Sequence, residues 1–328
     1  MATLKQVAAA TGVHITTVAA VLNGGGGNTR VGQATRERVT EAAQRLGYVR
    51  NESARRLRTG KSNTVGFIGG DLRNPFFSEL ASALERELEG HQLQLMISHV
   101  SGSQSANLSH TVEFLRQQTV SKIIYWDESA FQTPLVAKPD VQLLPIGFTI
   151  QPRPGLWLDL EHAMFLAITH LVRSGFRTIG FFAPAGQRES PSVMTRQKMF
   201  VDECIRQGLP APKCGTYEGE SWNVKAAADG ARSLLAQEPS IEAFVGFNDV
   251  SALGLLLASG ASERKPVVIG FDGTPLIRSW PTAPPFLDLK IAELARQAVA
   301  TLVHERTALL DGAKEHWLRP ELVTGTQA

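Results

Sequence analysis

Apolar residues recur at helical spacing through the first fifty positions. Leu4, Val7 and Ala8 form one stripe, and Val18, Val21 and Leu22 form a second. Gly12 lies between them and permits a sharp turn, with Val13 filling the turn's inner side. A third helix is predicted from Thr35 through Leu46. Thr35 can cap it, Glu37 and Glu41 sit early, and Val39, Ala42, Ala43 and Leu46 make its stripe. Ala8, Gly12 and Val18 then occupy the small, turning and apolar positions of a helix-turn-helix, where two helices must cross closely. Any three short helices can show such stripes, so spacing alone leaves the assignment open.

From Asn63 onward the period changes. TVGFIGG reads as a buried strand and FFSELASALERELEG as a helix; LQLMISHV, SKIIYW and VQLLPIGF are further strands, with HTVEFLRQQTV a helix between. The second half repeats the alternation around TIGFFAPA, AFVGFNDV and PVVIGFDG. Strands alternating with helices predict parallel sheets covered by helices on both faces.

Charge separates the two regions. The first 62 residues hold ten Lys/Arg against three Asp/Glu, a net of +7, whereas the remainder is −5. A basic head on a mildly acidic body points to a polyanion partner for the head alone. The absence of any 18-residue apolar run excludes an obvious membrane span. The opening MATLKQVAAATGV lacks the pattern of an export leader, which sets the expectation of a cytoplasmic protein. Cys204 and Cys214 match neither a metal spacing nor a disulfide framework and read as free thiols. No GxxxxGK[ST] loop, HExxH or GxSxG is present, so neither enzyme chemistry nor a cofactor or metal is expected.

TLKQVAAATGVHITTVAAVLNG, followed by RVGQATRERVTEAAQRLGYVRNESARRLRTGKSNTVG, resembles the lac repressor/galactose repressor family of bacterial transcription regulators. The resemblance continues through nearly the whole chain: DLRNPFF, RSGFRTIGFF, GFNDVSALG and VIGFDGTP each match a family stretch. It implies an N-terminal all-α helix-turn-helix head (1–50), a hinge helix and linker (51–62), and a two-lobed α/β body with parallel sheets, like a periplasmic binding protein (63–328). Lobe one would comprise about 63–159 and 288–316, and lobe two about 160–287 and 317–328.

The same resemblance implies that the second helix enters the DNA major groove. DNA contacts would come from Thr3, His14, Ile15, Thr16, Thr17, Ala20, Asn23, Arg30, Tyr48 and Asn51. In the hinge, Arg55, Arg56 and Arg58 would meet phosphates and Leu57 would wedge into the minor groove. Three departures matter. His14 replaces the usual cap serine, Ala19 and Ala20 replace a Ser-Arg pair, and Gly24 to Gly27 lengthen the following loop. Ala20 cannot make a bidentate guanine contact and can at most touch a thymine methyl. The glycines fit either a tolerated surface insertion or a loop that approaches phosphates.

For the body, the resemblance implies a ligand cleft between the lobes at the strands' carboxyl ends. Arg196, Asn248 and Asp272 are the candidate hydrogen-bonding residues, with Phe76, Phe77 and Trp222 as aromatic walls and Asp159 at the family's acidic position. Local roles stay open for each: Asp272 could shape a turn, Trp222 could be core, and Asp249 could be structural. Leu160 and Ala163 stand where the family has Asn and Gly, so the surroundings of Asp159 are altered. The implied function is a homodimeric regulator, with repression the commoner family behaviour. It would bind a pseudo-palindromic operator in double-stranded DNA under control of a small-molecule effector, first a carbohydrate and alternatively a purine. A solute-binding protein without regulatory DNA binding is the rival reading.

Overall fold

The computed structural model describes residues 2–22, 31–48, 62–99, 105–127, 140–150, 152–185, 191–260, 265–304, 313 and 316–324. The chain divides into two compact units, Met1–Lys61 and Ser62–Ala328.

The first unit is helical. Helix α1 (Leu4–Thr11) opens with a reciprocal capping box between Thr3 and Gln6, and Gly12 closes it at φ +64°. Helix α2 (Ile15–Leu22) and helix α3 (Gln33–Arg45) follow. Val7, Val18, Val21, Val39, Ala42 and Ala43 bury together, and Leu4, Ala8, Val13, Leu22, Val31 and Tyr48 pack around them. Two expectations for α3 need correction. The helix starts at Gln33, so Thr35 lies inside its first turn, while Gly32 takes the cap position in extended backbone without a side-chain bond. Leu46 is the C-cap residue and stays 39% exposed, because the chain turns away there before the stripe completes another turn.

The second unit holds two sheets. Strands β1 (Thr64–Gly69), β2 (Gln94–His99), β3 (Lys122–Asp127), β4 (Gln142–Gly147) and β5 (Leu156–Trp157) form a parallel sheet in the order β2-β1-β3-β4-β5. Helices α4 (Pro75–Glu89) and α5 (Ser105–Gln117) connect its strands. After helix α6 (Leu160–Arg173) the chain builds β6 (Ile179–Pro184), α7 (Pro191–Arg206), β7 (Lys213–Tyr217), α8 (Val224–Gln237), β8 (Ala243–Gly246), α9 (Asp249–Ser259), β9 (Val267–Asp272), the short α10 (Pro275–Arg278) and β10 (Phe286–Asp288). It then returns to pack α11 (Ile291–His304) against α4 before β11 (Glu321–Val323) pairs antiparallel with β10. The second sheet is ordered β11-β10-β9-β8-β6-β7.

The chain passes between the sheets beside a short bridge. Leu318 N–H donates to Trp157 O at 2.7 Å, and Asp159 N–H donates to Leu318 O at 2.9 Å. One continuous apolar cluster draws on both lobes and includes Phe76, Phe77, Phe148, Phe247, Phe271 and Leu289. Burial of such side chains, about 1.5–3 kcal/mol each, is what holds the lobes as one unit. Among the described residues, no helix is long and apolar enough to cross a membrane.

Gly254 marks the tightest helix contact beneath the second sheet. A Cβ at this position of α9 would lie 2.5 Å from Ala227 Cβ and 2.9 Å from the Ala228 backbone nitrogen. Backbone cannot yield as a flexible side chain can. Gly254→Ala is therefore expected to destabilise the body by about 1–3 kcal/mol, read as a lower urea midpoint at unchanged slope.

Candidate functional site

In the head, α2 turns Val18 and Val21 into the core. That leaves His14 and Thr16 exposed and Ile15, Thr17, Ala19 and Ala20 half-buried. His14 takes up the place of the missing cap serine. Its Nδ1 lies 2.8 Å from Thr16 Oγ1 and accepts weakly from Thr16 N–H at 3.4 Å. The imidazole thus supplies the acceptor that a helix start needs. Of the other head candidates, Thr3 is engaged in the capping box, and Tyr48 packs half-buried against the head's core. Asn23, Arg30, Asn51, Arg55, Leu57 and Arg58, with the Gly24 to Gly27 loop, lie outside the described residues.

In the body, the centre of the candidate site is a buried ion pair. Arg196 comes from α7 and Asp272 from the last position of β9; both are almost wholly buried. Arg196 Nη1 donates to Phe247 O at 2.5 Å and lies 3.3 Å from Asp272 Oδ1. The guanidinium is sandwiched between the rings of Phe247 and Phe271, at 4.8 and 4.5 Å from their centroids. Arg196 Nε is buried and makes no hydrogen bond. Asp272 adopts φ +112°, which non-glycine residues rarely tolerate, so local backbone strain accompanies the placement of its carboxylate.

Asn248 sits beside this pair, and both ends of its amide are engaged within the protein. Its Oδ1 caps α9 by accepting from Ser251 N–H at 2.8 Å and from Ser251 Oγ at 2.9 Å. Its Nδ2 donates to Ser221 O at 2.9 Å. Asp249 is structural in the same sense: its Oδ2 accepts from the backbone N–H and the hydroxyl of Thr274, both at 2.7 Å. That ties α9 to the turn following Asp272.

Phe76 and Phe77 lie at the start of α4, where Asn74 caps the helix by accepting from Phe76 N–H at 3.1 Å. Both rings meet Trp126 edge-on, at 4.9 and 5.5 Å. Trp222 is half-buried and its ring is covered by Arg73, whose guanidinium carbon is 4.4 Å from the centroid. Trp222 Nε1 is buried without a hydrogen bond. Asp159 stands at the passage between the sheets, where its Oδ1 caps α6 by accepting from His162 N–H at 3.0 Å.

The structure thus brings Arg196, Asn248 and Asp272 together at the ends of β8 and β9, with Phe76 and Phe77 reached through the shared apolar cluster. Sequence reasoning missed Arg73, Trp126, Phe247 and Phe271. Trp126, Phe247 and Phe271 were findable, since each flanks the carboxyl end of a strand. A separate open groove of about 510 Å³ runs along Glu79, Glu87, Arg278, Lys290 and Arg296. Its charges are largely paired with one another or with neighbours, including Arg278 with Asp288 at 2.7 Å and Lys290 with Glu321 at 2.5 Å. It reads as solvated surface. Among the described residues, no cluster of His, Cys, Asp and Glu is placed to hold a metal.

A DNA-reading head joined to a two-lobed body with a polar pair at its strand ends defines a ligand-responsive DNA-binding regulator. Residues 3–51 match the family model of bacterial regulatory proteins, lacI family, and residues 62–292 match that of periplasmic binding proteins and the sugar binding domain of the LacI family. The chain belongs to the lacI family. It is a sequence-specific DNA-binding transcriptional regulator and not an enzyme. It is 30% identical to the maltose regulon regulatory protein MalI of Escherichia coli K12, over 82% of this chain and 78% of that protein. It is 32% identical to the regulator MalR of Streptomyces coelicolor, over 98% of this chain and 94% of that protein. Its fold matches the lac repressor dimer bound to operator and the anti-inducer ONPF with a TM-score of 0.80 at 22% identity, covering 98% of each chain.

Burial determines the protonation of the acidic pair. It pushes Asp272 up to about 7, against the opposing pull of Arg196. Asp249 rises well above the usual carboxylate range, first through burial and then through the negative charge of Asp272. A carboxyl group raised in the folded state binds its proton more tightly there than in the unfolded chain. Its contribution to stability is complete below about pH 4 and is lost as pH rises through about 7. The thermal midpoint is expected to fall between about pH 4 and 7, and Asp249→Asn to flatten that fall. A variant whose midpoint tracks the parent across the range contradicts this assignment.

Proposed function

We propose that this regulator is a cytoplasmic repressor that binds a pseudo-palindromic operator as a homodimer and changes its operator affinity when a sugar or sugar derivative enters the body. The observation that carries this reading is the Arg196–Asp272 pair, set beside Asn248 at the carboxyl ends of β8 and β9. It offers a donor fork and a carboxylate side by side, the set that recognises hydroxyl groups. The relatives support the carbohydrate class, since MalI is by name a regulator of the maltose regulon and another relative is the ribose operon repressor of Bacillus subtilis. The edge-on cluster of Phe76, Phe77 and Trp126 favours a second candidate, a flat ring such as a purine.

In the head, Ile15, Thr16 and Ala20 are the base readers, so thymine methyl contacts replace the guanine contact an arginine would make. His14, Thr17, Asn23 and Arg30 flank them. Arg55, Leu57 and Arg58 act in the hinge, where the leucine wedges the minor groove. In the body Asp159 fixes the passage between lobes. The dimer is supported by β2, an edge strand with Ile97 44% exposed and Met96 half-buried beside it. Such an edge needs cover, and a second copy supplies it.

DNA selection with the full-length protein at stated salt tests the first part. Enrichment of one palindrome is expected, and Ala20→Arg should shift one position of each half-site toward guanine. Recovery of only unspecific, salt-sensitive binding would count against operator recognition. The selected DNA is then titrated with maltose, ribose and purine bases. Arg196→Lys should lose at least about tenfold in response, since lysine lacks the planar fork.

Sedimentation supplies the test of assembly. Micromolar protein should run as a dimer, and Ile97→Asp should shift it toward monomer and weaken operator binding.

A further inference from the structure

Arg73 makes a contact that the sequence motifs do not account for. It lies in the turn between β1 and α4, in lobe one, and Asp71 fixes its side chain. Asp71 Oδ1 accepts from Arg73 N–H at 2.9 Å and from Arg73 Nε at 3.0 Å, and Oδ2 accepts from Nε at 2.9 Å and from Nη2. These bonds hold the Asp71 carboxyl below the usual carboxylate range. A side chain that is 64% exposed is thereby kept as an oriented plate. Free arginine side chains on a surface lose much rotamer entropy when they order, and the internal carboxylate has already imposed that ordering.

The plate lies on lobe two. Its carbon is 4.4 Å from the Trp222 ring centroid, and Glu220 in the same turn adds a favourable charge. The turn is not a loose partner. Ser221 O accepts from Asn248 Nδ2, and Asn248 caps α9. A continuous path therefore runs from Asp71 through Arg73, Trp222 and Ser221 to Asn248, linking the first turn of lobe one to the polar centre of lobe two.

We propose that Arg73 is a positioning residue that clamps one side of the cleft, holding the two lobes together through Trp222. Arg73 touches none of Arg196, Asn248 or Asp272 in this arrangement; it acts through the Trp222 turn. The cation–π stack occupies the indole face, so a ligand that packs on that face must first displace Arg73. Effector entry and release of the clamp are then the same event.

The test needs neither effector nor DNA, so its failure is separate from failure of the proposed function. Full-length protein is labelled with 5-fluorotryptophan, and Trp222→Phe identifies the Trp222 line among the five tryptophans. Arg73→Ala should move only that line and enlarge its shift between H2O and D2O. Arg73→Lys, which keeps the charge but not the plane, should fall between. Hydrogen exchange is followed in the same variants. Amides of residues 74, 76 and 77 and of 220–223 should exchange at least about fivefold faster in Arg73→Ala, with the head helices unchanged. An unmoved Trp222 line overturns the contact. A moved line with exchange at residues 74, 76 and 77 within about twofold of the parent reduces it to a surface stack and overturns the clamp.

Discussion

Arg196 brings a full positive charge into a space walled by Phe247 and Phe271, and much of the body is arranged to make that tolerable. A guanidinium keeps its proton under all ordinary conditions, so it cannot escape the cost of burial by neutralising. It needs a carboxylate and acceptors at fixed places. Asp272 supplies the first at the end of β9, and the Phe247 carbonyl supplies the second at the end of β8. Two adjacent parallel strands must therefore end in register, and Asp272 must adopt a backbone angle that its side chain resists. Losing one partner from such a pair costs about 3–5 kcal/mol. The pair thus constrains both strands and the α7 helix that carries Arg196.

A second carboxylate makes this arrangement sensitive to its surroundings. Asp249 is buried next to Asp272 and is bound by the Thr274 turn, so α9, β9 and α10 share one polar junction. One positive charge stands against two buried carboxyl groups, and at neutral pH the pair retains protons that exposed aspartates would have lost. Any ligand that brings hydroxyl donors to Asp272 favours its ionised form and changes the balance at Asp249. The strain at Asp272 and the crowded acids are destabilising features kept at the point where the two lobes meet, which fits a site whose state is meant to change.

Much of the fold was legible in the chain because it rests on periodicity. The alternating strands and helices, the turn at Gly12 and the stripes of Val18, Val21 and Val39 all follow from side chains that must be buried at fixed spacing. The errors fall where backbone geometry decides instead. Thr35 has a capping side chain, but Gly32 starts the helix three residues earlier, since an extended backbone at that point satisfies the helix start without one. Leu46 has the right spacing for burial and is left outside by the turn at Gly47. At the site, the residue types were readable and their commitments were not. Asn248 looked like a free amide, yet its donor and its acceptor are both engaged within the protein. Trp222 looked like an open aromatic face, and a residue 149 positions away in the chain covers it. Contacts of that separation leave no local signature.

These internal commitments bear on how a ligand could be sensed. A binding site of free donors and acceptors would take up a ligand and change little else. Here several of the groups that a ligand would recruit are already engaged with something that fixes structure: Asp272 with Arg196, Asn248 with the Ser221 carbonyl and the start of α9, and the Trp222 ring with the turn of lobe one through Arg73, while Arg196 Nε and Trp222 Nε1 carry no bond. Binding at the engaged groups exchanges internal bonds for ligand bonds. The net affinity is then modest, because one set of hydrogen bonds replaces another. The structural consequence is large, because each exchange releases a link between elements. Differential interaction with two arrangements of the same body is what an effector needs in order to shift an equilibrium, and a site whose polar groups double as structural links provides it without requiring any new element of structure.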